Sequence, residues 1–354
     1  HIVKGEGVAW MRRFLGEDES RPIRHPRILS GIGSRILGIT QSVKQGEVAA
    51  TLIPSVGCPV GCNFCSTSAM FGGKGHSVNF YQTGEELFQV MCDLERDLKV
   101  RSFFVMDENF LLQRKRALRL LELMSEHGKS WALYVFTSAN VLNSYEIEQL
   151  VGLGIIWAWL GLEGKDSKYG KLKGTDTLAL VRTMQAHGIR MLGSTIIGLE
   201  EHTPENIDEA IDHAVAHDAD FHQFMLYTPL PGTPLHAELQ AAGTLLGPAE
   251  LDHPDTHGQY RFKHRHAHIT DHRETEFLMR AFHRDFEVNG PSFVRTARTM
   301  LQGWRRYKNH PDRRIRERFA WDTRGLATMY AGALWAARHW YRKDAFQSAK
   351  ISSI

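Results

Sequence analysis

The sequence predicts an α/β fold: a partial (β/α)6 barrel of parallel strands followed by a C-terminal helical extension. Six short segments rich in β-branched and aromatic residues come first as evidence: Val48 to Pro54, Arg101 to Met106, Trp131 to Thr137, Ile155 to Gly161, Arg190 to Ile197 and Phe221 to Tyr227. Between them, Thr83 to Lys99, Leu112 to His127, Ser144 to Val151, Thr175 to His187 and Pro204 to His217 carry apolar residues at helical spacing. Strand–helix alternation favours a parallel sheet. Six units are too few to close an eight-stranded barrel, so the sheet is expected open, with its chemistry at the carboxyl ends of the strands.

Helix starts are marked locally. Thr83 followed by Glu86 is a capping-box pattern, and Thr203-Pro204 sets a cap residue before a proline at the first helical position. Residues 244–271 break the alternation with His, Pro, Asp and Gly and read as a His-rich linker or lid. Beyond them, Arg273 to Val288 and Ser292 to Lys343 read as helical. The expected organisation is a leading segment over 1–20, a linker over 21–45, a core over 46–243, the linker or lid over 244–271 and a basic helical region over 272–354. No internal repeat or low-complexity tract interrupts it.

A chain of 354 residues and 40.3 kDa can bury a sizeable core. Its 42% hydrophobic and 23% charged content is that of a soluble globular protein, and its apolar runs stop short of the roughly 20 residues that span a bilayer. No charged-then-apolar leader follows His1, and a fragment or processed product is expected. The net charge of +3 hides an asymmetry: residues 293–343 hold 13 Lys/Arg against 3 Asp/Glu, and residues 1–292 hold 29 against 36. Three of the four cysteines fall within eight residues, the wrong distribution for a disulfide framework and the right one for local metal binding. Cys92, alone in a helix-period stretch, reads as a core or surface thiol.

Those three cysteines follow the first strand in Gly57-Cys58-Pro59-Val60-Gly61-Cys62-Asn63-Phe64-Cys65. Cys58, Cys62 and Cys65 can ligate three irons of a cubane, whereas a closed electron-transfer cluster usually takes four cysteines, so the fourth iron is left open. A structural zinc ion with a fourth ligand such as His76 is the alternative, and it describes a non-catalytic binding module. The Cys-x3-Cys-x2-Cys spacing with an aromatic residue before the last cysteine resembles the signature of the radical S-adenosylmethionine (SAM) superfamily. That resemblance implies a 4Fe-4S cluster whose open iron is chelated by the amino and carboxylate groups of SAM. It also implies reductive cleavage of the sulfonium to a 5'-deoxyadenosyl radical that takes hydrogen from an unactivated carbon.

Other strand ends fit the same resemblance. Met106-Asp107-Glu108-Asn109-Phe110 is similar to the acidic motif that contacts the methionine amino group, through Asp107 or Glu108; otherwise it is a polar turn capping the next helix. Ser138 follows the third strand as a polar contact to the cofactor. Gly161-Leu162-Glu163-Gly164 resembles the segment whose carboxylate lies near the ribose or methionine of SAM; Glu163 otherwise pairs with a neighbour such as Lys165. Within Gly193-Ser194-Thr195-Ile196-Ile197-Gly198-Leu199 the resemblance assigns Gly193, Ile196 and Gly198 to adenine, and the plain alternative is a core strand with a turn. Thr228-Pro229-Leu230-Pro231-Gly232-Thr233-Pro234 is similar to a family segment and reads as a stiff turn launching a helix.

Cys65-Ser66-Thr67-Ser68-Ala69-Met70-Phe71-Gly72-Gly73 resembles the cobalamin-binding branch, which includes methyltransferases and ring-forming enzymes. Lys4-Gly5-Glu6-Gly7 and the helix-like stretch to Leu15 are similar to the last turn and helix of a cobalamin-binding domain that precedes the radical core. The branch's Asp-x-His-x-x-Gly motif is absent: Asp255-Thr256-His257 begins like it, but Tyr260 stands where glycine belongs. Cobalamin is thus expected only in a longer parent protein. His253, His257, His264, His266 and His268 offer metal ligands or acid–base groups, with a solvated loop the favoured reading. Arg305, Arg306, Lys308, Arg313, Arg314, Arg316 and Arg318, with Trp304, Trp321, Trp335 and Trp340, suggest an anionic membrane surface, RNA or, by preference, a helical bundle with a basic outer face. The expected substrate is a lipid-like or secondary metabolite, methylated or rearranged; an RNA-modifying enzyme is the alternative within the same chemistry. The expected partners are a low-potential electron donor such as flavodoxin or ferredoxin and, peripherally, a membrane, in a reducing cytoplasm.

Overall fold

The computed structural model describes residues 1–3, 7–19, 21, 23–30, 35–36, 39–40, 48–163, 172, 175–251 and 258–352. Six strands, β1 (Ala50–Leu52), β2 (Ser102–Val105), β3 (Ala132–Thr137), β4 (Ile155–Glu163), β5 (Arg190–Ile197) and β6 (Phe221–Leu226), form one sheet whose order follows the chain. The registered pairs β1–β2, β2–β3, β4–β5 and β5–β6 are parallel. This is the strand count and order of a partial (β/α)6 barrel; each predicted segment falls on one observed strand, and β4 runs two residues past the expected end at Gly161.

Helices α1 (Val8–Phe14) and α2 (Ser66–Met70) are followed by α3 (Gly84–Leu98), α4 (Arg114–Glu126), α5 (Ala139–Leu142), α6 (Ile147–Leu153), α7 (Thr177–Ala186), α8 (Ile207–Val215) and α9 (Pro234–Ala241). The extension comprises α10 (Arg273–Asn289), α11 (Ser292–Tyr307), α12 (Arg313–Thr323), α13 (Leu326–Tyr341) and α14 (Ala345–Ser352). Thr83 caps α3 as expected: its hydroxyl accepts the Glu86 N–H at 3.2 Å while the Glu86 carboxylate accepts the Thr83 N–H at 3.0 Å. Thr203 makes the expected cap bonds, its hydroxyl accepting the Glu205 N–H at 3.2 Å while the Asn206 side-chain oxygen accepts the Thr203 N–H at 2.8 Å. Its carbonyl accepts the N–H groups of Asn206 and Ile207, so a turn over residues 204–206 leads into α8, whose regular helix begins at Ile207.

The chain divides into two compact units. The first, His1–His127 with Trp131–Thr137 and Pro229–Leu245, carries β1 to β3. Its core sets Leu52, Phe103, Val105 and Leu133 of the strands beside Leu87 and Met91 of α3 and Leu120 and Met124 of α4, all fully buried. Trp131 lies 5.5 Å from the Phe103 ring and 5.3 Å from Phe88, tying β3 to α3 by aromatic packing.

The second, Gly128–Ser130 with Ser138–Thr228 and Leu246–Ile354, carries β4 to β6. One face of these strands buries Ile197, Phe224 and Leu226 in a cluster with Ile207 and Ile211 of α8 and Phe277 and Ala281 of α10. Two buried ion pairs fix the extension. Arg295 donates to Asp285 at 2.7 Å between α11 and α10, and Arg190 of β5 donates to Asp322 of α12 at 3.0 Å. Arg318 and Arg314 of α12 donate to the Val151 and Gly152 carbonyls that end α6, replacing bonds no helix can make for itself. The expectation of an outward basic face is corrected to this extent: Arg295, Arg314 and Arg318 point inward as helix caps and ion-pair partners.

The His-rich segment also departs from expectation. Among its described residues there is no helix or strand, yet Phe262, His264, His266 and Ile269 are buried rather than solvated. Among the described residues no helix is long and apolar enough to cross a membrane.

Candidate active site

The cysteine loop of the first unit is closed at its base. Ser55–Val56 pairs antiparallel with Val78–Asn79, so the residues between them leave and return at one place. Inside the loop the Cys65 N–H donates to the Cys62 carbonyl at 3.1 Å, and the Gly75 N–H to the Pro59 carbonyl at 2.8 Å. The Ser68 hydroxyl donates to the Cys58 carbonyl at 2.7 Å. Cys65 is the N-cap of α2, its sulfur accepting the Ser68 N–H at 3.5 Å. Gly61 has φ +72°, and a Cβ there would lie 2.5 Å from Lys74 Cβ, so glycine is required by both conformation and space.

The donor set suits a cluster. Cys58, Cys62 and Cys65 are half-buried and in no disulfide. Three thiols on one loop match the demand of a cubane, which takes one thiolate at each of three separate irons.

Asp107 and Glu108, offered as alternatives by the sequence, differ in the structure. Asp107 is buried; its Oδ2 accepts from Arg116 at 3.0 Å and from the Ser55 hydroxyl, and its Oδ1 from the Asn109 N–H at 3.1 Å. Its oxygens are committed to the protein. Glu108 is half-buried, and its Oε2 is shielded from water without a hydrogen-bond partner. Burial raises its pKa above the ordinary value of 4.5 and the Asp107 charge adds to this, while backbone N–H groups of Glu108 and Gly57 oppose it. Through Gly57, Glu108 therefore faces the start of the cysteine loop.

Arg116 was not singled out by sequence. Its guanidinium also donates to the Tyr81 carbonyl at 3.0 Å and reaches the Ser55 hydroxyl at 3.4 Å. Both strands that close the cysteine loop are thus tied to Asp107 at the end of β2. The available signal was a cation on the apolar stripe of a helix, one turn before Leu120.

In the second unit the remaining predicted residues lie along β4, β5 and the turns after β3 and β5. Ser138 is the buried N-cap residue of α5. Glu163 is buried at the end of β4 beside an irregularity in the register, with φ +52°, a conformation that a non-glycine residue adopts at a cost of about 1 kcal/mol. Gly164 and Lys165 lie outside the described residues. Ile196 is buried near the end of β5. Gly193 faces its neighbours tightly, since a Cβ would meet Leu162 Cδ1 at 2.7 Å. Gly198, with φ +78°, is covered by the ring of Phe262. Its N–H and that of Leu199 donate to His202 Nδ1 at 3.0 and 3.2 Å.

His266 is consumed by this turn: one ring nitrogen lies 3.0 Å from the Leu199 carbonyl and the other accepts N–H groups of His268 and Ile269. His264 lies alongside, its ring 5.1 Å from Phe262, with a buried Nδ1 that has no partner. Burial lowers the His264 pKa to about 4. His253 and His257, like Lys4 to Glu6, lie outside the described residues.

The sequence model of the radical SAM superfamily matches residues 52–214. The bacteriochlorophyllide d C-12(1)-methyltransferase of Chlorobaculum tepidum is 30% identical over 198 residues, covering 53% of this chain and 42% of that protein. The hopanoid C-2 methylase of Rhodopseudomonas palustris is 28% identical over 206 residues, covering 54% and 38%. The chain thus spans about two-fifths of the length of these relatives. In fold it resembles the radical SAM methyltransferase TsrM of Kitasatospora setae, solved with cobalamin and a 4Fe-4S cluster bound, at a TM-score of 0.52 and 18% identity over 77% of this chain and 60% of that one. Residues 52–214 thus match the radical SAM superfamily, and the chain resembles the superfamily's cobalamin-binding branch.

Proposed function

We propose that this chain is the radical SAM portion of a methyltransferase acting on an unactivated carbon of a small molecule, a lipid-like or secondary metabolite. The observation that carries the reading is the closed cysteine loop, with three thiols on one loop and the Glu108 carboxyl facing its first residue. Cys58, Cys62 and Cys65 would hold three irons of a 4Fe-4S cluster. Glu108, with an oxygen that no protein group satisfies, would accept from the ammonium of SAM. Asp107 is a positioning residue, held by Arg116. Gly193, Ile196 and Gly198 are assigned to adenine, Glu163 to the ribose or methionine part and Ser138 to a polar contact with the cofactor; the strained backbone of Glu163 supports a functional constraint there.

Bound together, the cluster and SAM supply one-electron cleavage of a sulfonium and, from it, hydrogen abstraction. The electron would come from a low-potential donor such as flavodoxin or ferredoxin in a reducing cytoplasm. The names of the relatives support methylation, and the cobalamin of the TsrM structure supports a cobalamin-binding parent protein.

Anaerobic reconstitution tests this. About four irons per chain are expected, with SAM cleavage under reduction and loss of iron in Cys58→Ala, Cys62→Ala and Cys65→Ala. One colourless zinc ion per chain, or iron without SAM cleavage, would refute the reading.

A further inference from the structure

The last helices of the second unit carry an exposed face that the packing of the fold leaves unused. From Leu326 to Ala337 the sequence has no charged residue, and Arg338, Arg342 and Lys343 then follow in quick succession. Leu334 and Tyr341 of α13 turn inward onto Val294 of α11. Thr328, Ala331, Trp335, Arg338, His339 and Arg342, three or four residues apart, are all exposed and so form one stripe of the helix. Trp335 is 71% exposed, its indole stacked on the His339 ring at 5.5 Å. The apolar surface continues past this stripe. The exposed Phe286 of α10 has its ring 5.6 Å from Tyr341, and the exposed Phe282 and Met279 precede it at helical spacing. Phe346 of α14 is 54% exposed.

The cations set this end apart from the rest of the extension. In α12, Arg313 pairs with Glu317 at 2.6 Å, Arg316 donates to the Pro311 carbonyl at 2.9 Å, and Arg314 and Arg318 are buried. Among the described residues Arg338, Arg342 and Lys343 have no ion-pair partner, and residues 323–354 hold five Lys/Arg against Asp344 alone. The dipole of α13 accounts for basic side chains in its last turn, but not for an indole held in water beside them. Exposed aromatic side chains grouped with unpaired cations mark a contact surface, where one exposed apolar residue by itself would not.

We propose that this face docks on an anionic lipid surface, with Arg338, Arg342 and Lys343 at the lipid phosphates and Trp335 and Phe346 in the layer between headgroups and chains. Aromatic rings settle at that depth, and cations on long stems reach the headgroups from the same side of a helix. With 16 residues, α13 is too short to cross and lies along the surface. A nucleic acid would satisfy the cations and leave Phe282 and Phe286 in water. A second copy of this chain, meeting the first about a two-fold axis through this face, would set like charge against like charge. The inference stands apart from the proposed chemistry.

Cosedimentation of the full chain with sucrose-loaded vesicles tests this. Vesicles of phosphatidylcholine and phosphatidylglycerol in two-to-one proportion should carry the chain down, vesicles of phosphatidylcholine alone should not, and added salt should release it. Arg338→Gln/Arg342→Gln/Lys343→Gln, at exposed positions, should weaken binding about 100-fold, each cation contributing about fivefold. Arg338→Lys/Arg342→Lys should bind like the unaltered chain. Brominated acyl chains should quench the tryptophan emission, and quench Trp335→Phe less. No cosedimentation with the anionic vesicles, equal cosedimentation with both kinds, or undiminished binding of the triple Gln variant would overturn the proposal. So would anionic-vesicle binding that bromination leaves unquenched, since the indole would then lie outside the bilayer. Binding of a single-stranded RNA through these cations, or a dimer that Trp335→Ala dissociates, in either case without vesicle binding, would give the face to that partner instead. The unaltered chain alone decides the vesicle comparisons, so a poorly folding variant does not shield the proposal.

Discussion

The Arg116 guanidinium donates to Asp107 Oδ2 at 3.0 Å with the two side chains only 2% and 5% exposed, and the same group binds the Tyr81 carbonyl. A buried cation here joins the end of β2 to the ribbon that closes the cysteine loop. Arg116→Met would leave the Asp107 carboxylate buried and unpaired, with an expected loss of about 3–5 kcal/mol. Urea unfolding of the single variant and of Asp107→Leu/Arg116→Met should show the double variant recovering part of that loss. A single-variant effect below about 1 kcal/mol would show that water or another cation replaces Arg116.

Glu108 should behave oppositely to a typical ion-paired carboxylate. Its pKa lies above the ordinary 4.5 in the folded chain because it is buried, so in the interval above 4.5 the folded state binds more protons than the unfolded one. Stability attached to this group is therefore present in acid and falls as pH rises through that interval. Glu108→Gln should be more stable than the unaltered chain at pH 7, with the difference closing below pH 4.5. Denaturant melts across that range measure it, and a variant that is less stable at pH 7 would contradict the assigned environment. Iron content should be unchanged while SAM binding weakens.

The strands were legible because each is short, apolar and bounded by turn residues; Arg190–Ile197 is read from the sequence residue for residue. The start of α8 was read three residues early: Thr203 does make its cap bonds, but a turn over residues 204–206 precedes the regular helix, and that depends on the local geometry rather than on the Thr-Pro pair. The cysteines were legible because their chemistry depends on spacing. The division of labour between Asp107 and Glu108 was not, because it depends on Arg116, nine residues away in sequence and on another element. Likewise the inward arginines of α12 look from sequence like a basic surface; only the burial of Arg314 and Arg318 against the end of α6 distinguishes the two.

Three histidines set an acid limit on the second unit. His217, His222 and His264 are each held by burial at a pKa of about 4, below the ordinary 6.5. Between those values the unfolded chain binds protons that the folded chain refuses, so this contribution is fully present above pH 6.5 and is lost as pH falls toward 4. Unfolding free energy measured from pH 7 to 4 should decline accordingly. His264→Phe, which removes an imidazole whose Nδ1 has no partner, should flatten the slope by about one proton. An unchanged slope would place His264 in contact with water.

Gly198 separates two costs that are usually confounded. Its φ of +78° disfavours any side chain, and a Cβ would also intrude on the Phe262 ring. Gly198→Ala should lose about 2–5 kcal/mol, from roughly 1–2 for the left-handed backbone and roughly 1–3 for overpacking. Phe262→Leu alone should cost about 1 kcal/mol by leaving a small void. In the double variant the steric part disappears and the backbone part remains, so the double should be less destabilised than the sum of the singles, a coupling of about 1–2 kcal/mol in a double-mutant cycle. Strict additivity would mean that Phe262 does not lie over Gly198 in solution.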